Sequence, residues 1–452
     1  MEKDLTKGPV LKTMFLFALP MILGNLLQQC YNIADTLIVG RVLGSNALGA
    51  VGSSFTLMTF ITSVLLGLCM GSGALFSIKF GQRDEKGFQN SVHGAFFLIA
   101  VVTVILNALV FLFIDEILIF LQVPSDTIAL MREYLVVIFW GIAATFLYNF
   151  FSCLLRSVGN SVVPLIYLGI SAVLNIALDL LFVAVFKFGV AGAAWATVIS
   201  QYVSGIGMGI YALLKYPFLR KKFSFTFGSV KEVAGFSFLT CVQQSVMNFG
   251  ILMVQGLVNS FGSVVMAAFA AAVKIDAFAY MPVQDFGNAF STFIAQNYGA
   301  KKNDRIKSGI KTALISVTVF CIIVSLCIFI FAPQLMGLFI DYSEIDIISC
   351  GVDYLRIEGA FYIGIGVLFL LYGLFRAIGK PGMSVVLTVI SLGSRVALAY
   401  GLSTIPQIGV FGIWWSVPIG WILADITGIL SYYFIQRKNV QKSLVITKVK
   451  EL

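Results

Sequence analysis

Long apolar runs separated by short polar breaks cover almost the whole chain. A membrane-spanning helix needs about 20 mostly apolar residues. Runs of that kind fall at 12–40, 46–78, 89–114, 130–155, 161–186 and 190–214. A second set falls at 232–260, 264–297, 309–332, 352–375, 382–404 and 409–435. The pattern predicts an all-α membrane protein of twelve transmembrane helices, arranged as two pseudo-twofold-related six-helix bundles. Residues 1–12 are charged and short and lead into the first run without an Ala-x-Ala cleavage site, so that run is expected to be retained as a helix.

The two sets are copies of one unit. RSVGNSVVPLIYLGISAVLNIALD starts at Arg156 and RAIGKPGMSVVLTVISLGSRVALA at Arg376, an offset of 220. Gly159 falls on Gly379, Ile170 on Ile390, Ser171 on Ser391 and Trp195 on Trp415 at that same offset. A fixed offset over this length is the mark of internal repetition. Earlier in each copy the match is looser: Gln28 and Gln29 resemble Gln243 and Gln244 at offset 215, and Gly44 falls on Gly262 at 218. Six is even, so both copies enter the membrane from the same side, and the pseudo-twofold axis runs along the membrane normal. The expected division is an N-terminal lobe at 1–214, a cytoplasmic linker at 215–231 and a C-terminal lobe at 232–452.

Composition narrows the class. The chain is 59% hydrophobic and only 11% charged, against about 25% charged in soluble domains. With the N-terminus placed in the cytoplasm, 24 of the 30 Lys and Arg residues fall on that side and 4 outside, while Lys274 and Arg395 lie within spans. The positive-inside rule thus puts both termini in the cytoplasm, in a plasma membrane. The net charge of +9 calls for no nucleic acid, because basic loops facing an anionic leaflet account for it. Seven cysteines lie in or beside apolar runs without metal-ligand spacing. They read as small buried hydrophobes. His93 is the only histidine, which leaves little material for His-based zinc sites or Ser-His catalysis.

The acids carry the candidate chemistry. A charge at mid-bilayer costs on the order of 2.5–3.5 kcal/mol on insertion scales, so Asp35, Asp179, Asp276, Asp285 and Asp425 each need a reason. Asp35 lies six residues before Arg41 and Asp179 eight before Lys187. Both therefore sit roughly 9–12 Å below the outer surface, in one layer. Asn175 shares a helix face with Asp179, and Tyr31 and Asn32 lie about a turn from Asp35. In the second copy Asn175 and Asp179 are replaced by Arg395 and Ala399, so the acid pair is expected in the first lobe alone. Two carboxylates close together in a low dielectric must either hold a proton or be neutralised by a small cation. In the second lobe Lys274, Asp276, Gln284 and Arg395 read as a polar network, with Gln28, Asn32, Gln243 and Gln244 as further polar candidates. Asp425 could answer Arg395. Pro20 interrupts the first run and is expected to bend it.

These residues resemble the multidrug and toxic compound extrusion (MATE) family of transporters. The likeness rests on Pro20 with Asp35, on Asn175-x-x-x-Asp179, on the Ala-Val-Lys-Ile run at 272–275 and on two six-helix lobes joined by a cytoplasmic loop, and it spans essentially the whole chain. The resemblance implies a drug/cation antiporter with a V-shaped cavity between its lobes. In its DinF-like branch the positions of Asp35, Asn175 and Asp179 form the cation site, and the proline at Pro20 lets the first helix bend on protonation. The NorM-like branch uses second-lobe acids. Here the corresponding stretches offer Gln243 and Gln244 and, near Tyr362, glycines and Ile365, which favours the DinF-like arrangement.

The expected function is a secondary active multidrug efflux antiporter, not an enzyme. It would export small organic cations or amphipathic drugs in exchange for H⁺ or Na⁺ at Asp35 and Asp179, with no cofactor and no structural metal, as a monomer in the bilayer. A flippase for lipids or lipid-linked oligosaccharides is the alternative; a pyrophosphate would need a strongly cationic cavity, and only Lys274 and Arg395 are available. A major-facilitator transporter would carry a G-x-x-x-D-R-x-G-R-like loop that Gly81-Gln-Arg-Asp-Glu-Lys-Gly does not fit. An intramembrane protease lacks its Gly-x-Gly-Asp context here.

Overall fold

The computed structural model describes residues 4–120, 127–220 and 226–450. Part of the predicted linker 215–231, at 221–225 with Lys221 and Lys222, lies outside the described residues, as does Lys3. The helices are α1 (Val10–Leu43), α2 (Ser45–Gln82), α3 (Glu85–Leu112), α4 (Ile114–Phe120), α5 (Ile128–Ser157), α6 (Val162–Asp179) and α7 (Gly189–Lys215). They continue with α8 (Phe227–Asn259), α9 (Ser263–Gly299), α10 (Asn303–Met336), α11 (Ile345–Ala360), α12 (Tyr362–Ala377), α13 (Pro381–Ser403) and α14 (Val410–Lys450). Among the described residues there is no strand.

Among the described residues eleven helices are long and apolar enough to cross a membrane, and α11 with α12, bent by 53°, brings the number to twelve if the pair counts as one span. Their outward faces are greasy: α10 exposes Ile315, Val319, Ile322, Leu326 and Phe329. That inversion of the soluble pattern is what hydrocarbon solvent selects. α1 runs through Pro20 as one unbroken helix. The proline offers no N–H to the preceding turn, yet the helical path continues on both sides. α3 starts where Asp84 accepts the Gly87 N–H at 2.8 Å, a side-chain N-cap.

The duplication is written into the backbone. Left-handed φ angles recur at Gly44 (87°) and Gly262 (96°), at Arg83 (57°) and Lys301 (56°), and at Gly159 (83°) and Gly379 (76°). Gly189 (63°) and Gly409 (53°) make a fourth pair. Two helices break the symmetry. α5 is continuous, whereas its counterpart is cut at Phe361 into α11 and α12. α6 passes straight into a π-helical turn, Leu180–Val185, immediately after Asp179. Such turns recur at functional sites because the extra residue redirects the side chains around it.

The described chain divides into two compact units. One comprises 1–245, 288–310 and 376–381, the other 246–287, 311–375 and 382–452. In the first, α5 packs chiefly against α7, α2 and α3. Phe76, Phe96, Phe146 and Phe150 interlock there in tilted and edge-on pairs 5.3–6.1 Å apart, a favoured geometry for ring quadrupoles. In the second, Trp414 stacks on Phe269 at 5.5 Å and meets Tyr354 edge-on at 4.9 Å.

Candidate functional site

α1 and α6 place one carboxylate each at a common point in the first unit. Asp179 is completely buried and Asp35 half-buried. Their carboxyl groups face each other within electrostatic reach. In a low dielectric two acids so placed must hold a proton or be neutralised by a small cation. Asn175, buried one turn before Asp179, joins them. In the amide orientation that satisfies both of its ends, its Nδ2 donates to Asp179 Oδ2 at 3.3 Å. Its Oδ1 then accepts from the hydroxyl and the N–H of Thr197, each at 3.3 Å.

The surroundings leave this pair its charge. Tyr134 is buried within electrostatic reach of both acids, and Tyr31 is close to Asp35. Among the described residues no Lys or Arg forms an ion pair with either acid. Asp35 Oδ1 and Asp179 Oδ1 are buried and unpartnered. Two hard carboxylate oxygens with spare lone pairs, an amide and a hydroxyl make a donor set suited to a proton or a small hard cation. No group of three or more His, Cys, Asp or Glu with the placement to hold a metal occurs among the described residues.

The second unit holds a second acid pair, contrary to the expectation that the first lobe alone carries one. Asp276 on α9 lies within electrostatic reach of Glu358, with Tyr354 and Tyr362 beside them, and Asp276 Oδ1, Glu358 Oε1 and the Tyr362 hydroxyl are buried without a hydrogen-bond partner. Glu358 is 1% exposed and Asp276 5%. Glu358 escapes a sequence reading because it follows Arg356 by two residues and so looks like part of an outer charged edge. The break at Phe361 puts it instead one turn from a bend, pointing inward. Arg395 lies within electrostatic reach of both acids. It forms no ion pair within 4 Å, and its Nε is unpartnered.

Other expectations fare differently. Asp425 does not answer Arg395: it forms no ion pair, and its Oδ1 is buried and unpartnered. Lys274 does not enter the network. It is exposed, with its Nζ 6.0 Å from the centre of the Phe339 ring, because two residues along a helix separate it from Asp276 by about half a turn. Gln243 and Gln244 are buried in the first unit, Gln284 is half-buried in the second, and Asp285 is buried there. Gln28 is exposed and Asn32 half-buried on α1. His93 is buried in α3. Thr197 and Tyr134, absent from the sequence-based set, complete the first site. Tyr134 has its repeat equivalent in Tyr354 at offset 220, which stands beside the second acid pair. A groove of about 590 Å³ along α5 and α7, lined by Trp140, Trp195, Tyr202 and Ile206, holds none of these acids. Its apolar walls suit hydrocarbon.

Comparison with known proteins follows the same lines. The model of the MatE family matches residues 20–181 and again 238–401, one match per copy. The chain is 31% identical over 394 residues to the probable multidrug resistance protein YpnP of Bacillus subtilis, covering 86% of this chain and 87% of that protein. It is 28% identical to the probable multidrug resistance protein NorM of Thermotoga maritima, covering 98% and 96%. A MATE protein solved in complex with MaL6 superposes with a TM-score of 0.89 at 24% identity, covering 97% of this chain and 99% of that one.

Proposed function

The chain belongs to the MatE family of membrane transporters, and from that premise we propose that it is a secondary active antiporter, exporting cationic or amphipathic organic compounds in exchange for H⁺ or Na⁺. It is a transporter and not an enzyme. The reading extends to a monomer in the plasma membrane with both termini in the cytoplasm. Asp35 and Asp179 form the coupling pair and Asn175 and Thr197 orient it.

The juxtaposition of the two carboxyl groups is the observation that carries this reading. With no basic side chain beside it, the pair changes its net charge whenever it gains or loses a proton or a Na⁺. A cation arriving there neutralises the α1–α6 contact; its departure leaves two like charges in a low dielectric and pushes the helices apart. The π turn beyond Asp179 and Pro20 in α1 are the places where each helix can adjust. Export of cargo is driven when cargo and ion disfavour each other's binding. A flippase for pyrophosphate-linked lipids loses support, because Arg395 faces two acids and Lys274 points away from them.

The test is ethidium transport into inside-out vesicles under an imposed pH or Na⁺ gradient. Asp35→Asn and Asp179→Asn are expected to reduce gradient-driven transport at least tenfold, and the gradient that drives the native protein names the ion. Equal rates in all three proteins refute the coupling role.

A further inference from the structure

The six residues ahead of α1 are held by an unusual set of donors. Leu5 is completely buried. Its N–H donates to Gln296 Oε1 at 3.2 Å, and its carbonyl accepts from Asn297 Nδ2 at 3.2 Å and Arg305 Nη2 at 3.1 Å. Lys302 Nζ donates to the Thr6 carbonyl at 2.7 Å. Arg305 donates again to the carbonyls of Lys7 at 3.1 Å and Gly8 at 2.6 Å. Four successive carbonyls, 5 to 8, are thus each taken by a side chain from the end of α9, the turn that follows it or the start of α10, all within the first unit.

The donors are themselves fixed. Arg305 Nε donates to Asn297 Oδ1 at 3.1 Å, and its guanidinium lies 5.6 Å from the centre of the Phe293 ring. Gln296 and Asn297 are fully buried, and Gln296 Nε2 also donates to the Ser157 carbonyl at 2.7 Å. The fold does not demand this arrangement. At offset 218 the other copy has Ile78, Lys79, Asp84 and Gly87 where this one has Gln296, Asn297, Lys302 and Arg305. At the start of α8, the helix matching α1, Thr226 and Ser229 bond to each other.

α1 is also the helix that carries Asp35, 25 residues and so about 38 Å further along its axis. We propose that residues 4–8 are a latch on α1: while Arg305, Lys302 and Asn297 hold the four carbonyls, the near end of the helix is pinned, and the transport cycle requires their release. The latch acts on the rate at which α1 changes position and binds neither ion nor cargo. It rests on the antiport reading only in supposing that α1 moves during a cycle.

Two measurements test it in a background with the native cysteines replaced. First, Leu5→Cys with Asn297→Cys is oxidised to a disulfide in vesicles. Ethidium transport is expected to fall at least tenfold and to recover on reduction; undiminished transport by the cross-linked protein overturns the proposal. Second, Leu5→Cys alone is labelled with a maleimide. Arg305→Ala is expected to speed labelling at least fivefold, and Asp35→Asn, at the far end of the same helix, to change it at least threefold. Labelling indifferent to both substitutions overturns the latch even if the double-cysteine protein does not fold. If the native protein moves no ethidium at all, the antiport reading fails while the labelling result still decides the latch.

Discussion

Gly81 on α2 and Gly299 on α9 stand 218 positions apart and face each other's helix backbone reciprocally. A β-carbon on Gly81 would overlap the carbonyl of Gln296, and one on Gly299 would overlap that of Ile78. Ile78 and Gln296 are again 218 apart. The two equivalent helices therefore meet main chain to main chain, as small residues permit in lipid. Gly81→Ala and Gly299→Ala are each expected to cost about 1–3 kcal/mol by overpacking, seen as a lower midpoint of thermal unfolding in detergent. Gly235, where an added β-carbon meets nothing within 4 Å, is the control. Gly235→Ala is expected to be neutral or to stabilise by up to about 1 kcal/mol.

Thr197 supplies both an N–H and a hydroxyl to Asn175. Thr197→Val removes the hydroxyl alone. One neutral hydrogen bond is worth about 1 kcal/mol, so the orientation of Asn175 toward Asp179 should weaken about fivefold. The expected outcome is a several-fold weaker dependence of ethidium transport on the driving ion, with unfolding temperature unchanged. Transport that responds to the ion as in the native protein would show that Thr197 does not position the pair.

Among the described residues, Arg395 is the basic group within electrostatic reach of both Asp276 and Glu358. Removing a partner from a buried ion pair in contact costs about 3–5 kcal/mol; at this longer separation about 1–2 kcal/mol is expected for Arg395→Met. Glu358→Gln in the same chain removes one of the acids that Arg395 balances and should restore part of the loss. Thermal unfolding of the two single variants and the double variant measures the interaction, and simple addition of the two effects would remove Arg395 from the network.

Lys274→Met tests the opposite case. The side chain is exposed, with its Nζ 6.0 Å from the centre of the Phe339 ring, a contact worth about 0.5–1 kcal/mol at most. Ethidium transport should be unchanged; loss of transport would restore Lys274 to the functional set.

The parts of this protein that follow from solvent were legible in its sequence. Apolar runs long enough for a bilayer gave the spans, and the constant offset of 220 gave the two copies. Matched distance from the outer basic residues brought Asp35 and Asp179 to one depth. What escaped depends on departures from regular helix. The π turn after Asp179 and the break at Phe361 leave no hydropathic trace. Glu358 was hidden because spacing from Arg356 measures depth only if the helix runs straight. Lys274 stands apart from the second acid pair because two residues along a helix turn it away from Asp276.

The two carboxyl pairs use different helices. The first draws on α1 and α6, the second on α9 and α11. At the offsets of the repeat, Asp179 corresponds to Ala399, Asp276 to Met58 and Glu358 to Ile138. None of these acids has an acidic twin, so the two pairs occupy different positions of the repeated unit, and the doubled scaffold carries two separate buried acid sites that its internal symmetry does not relate.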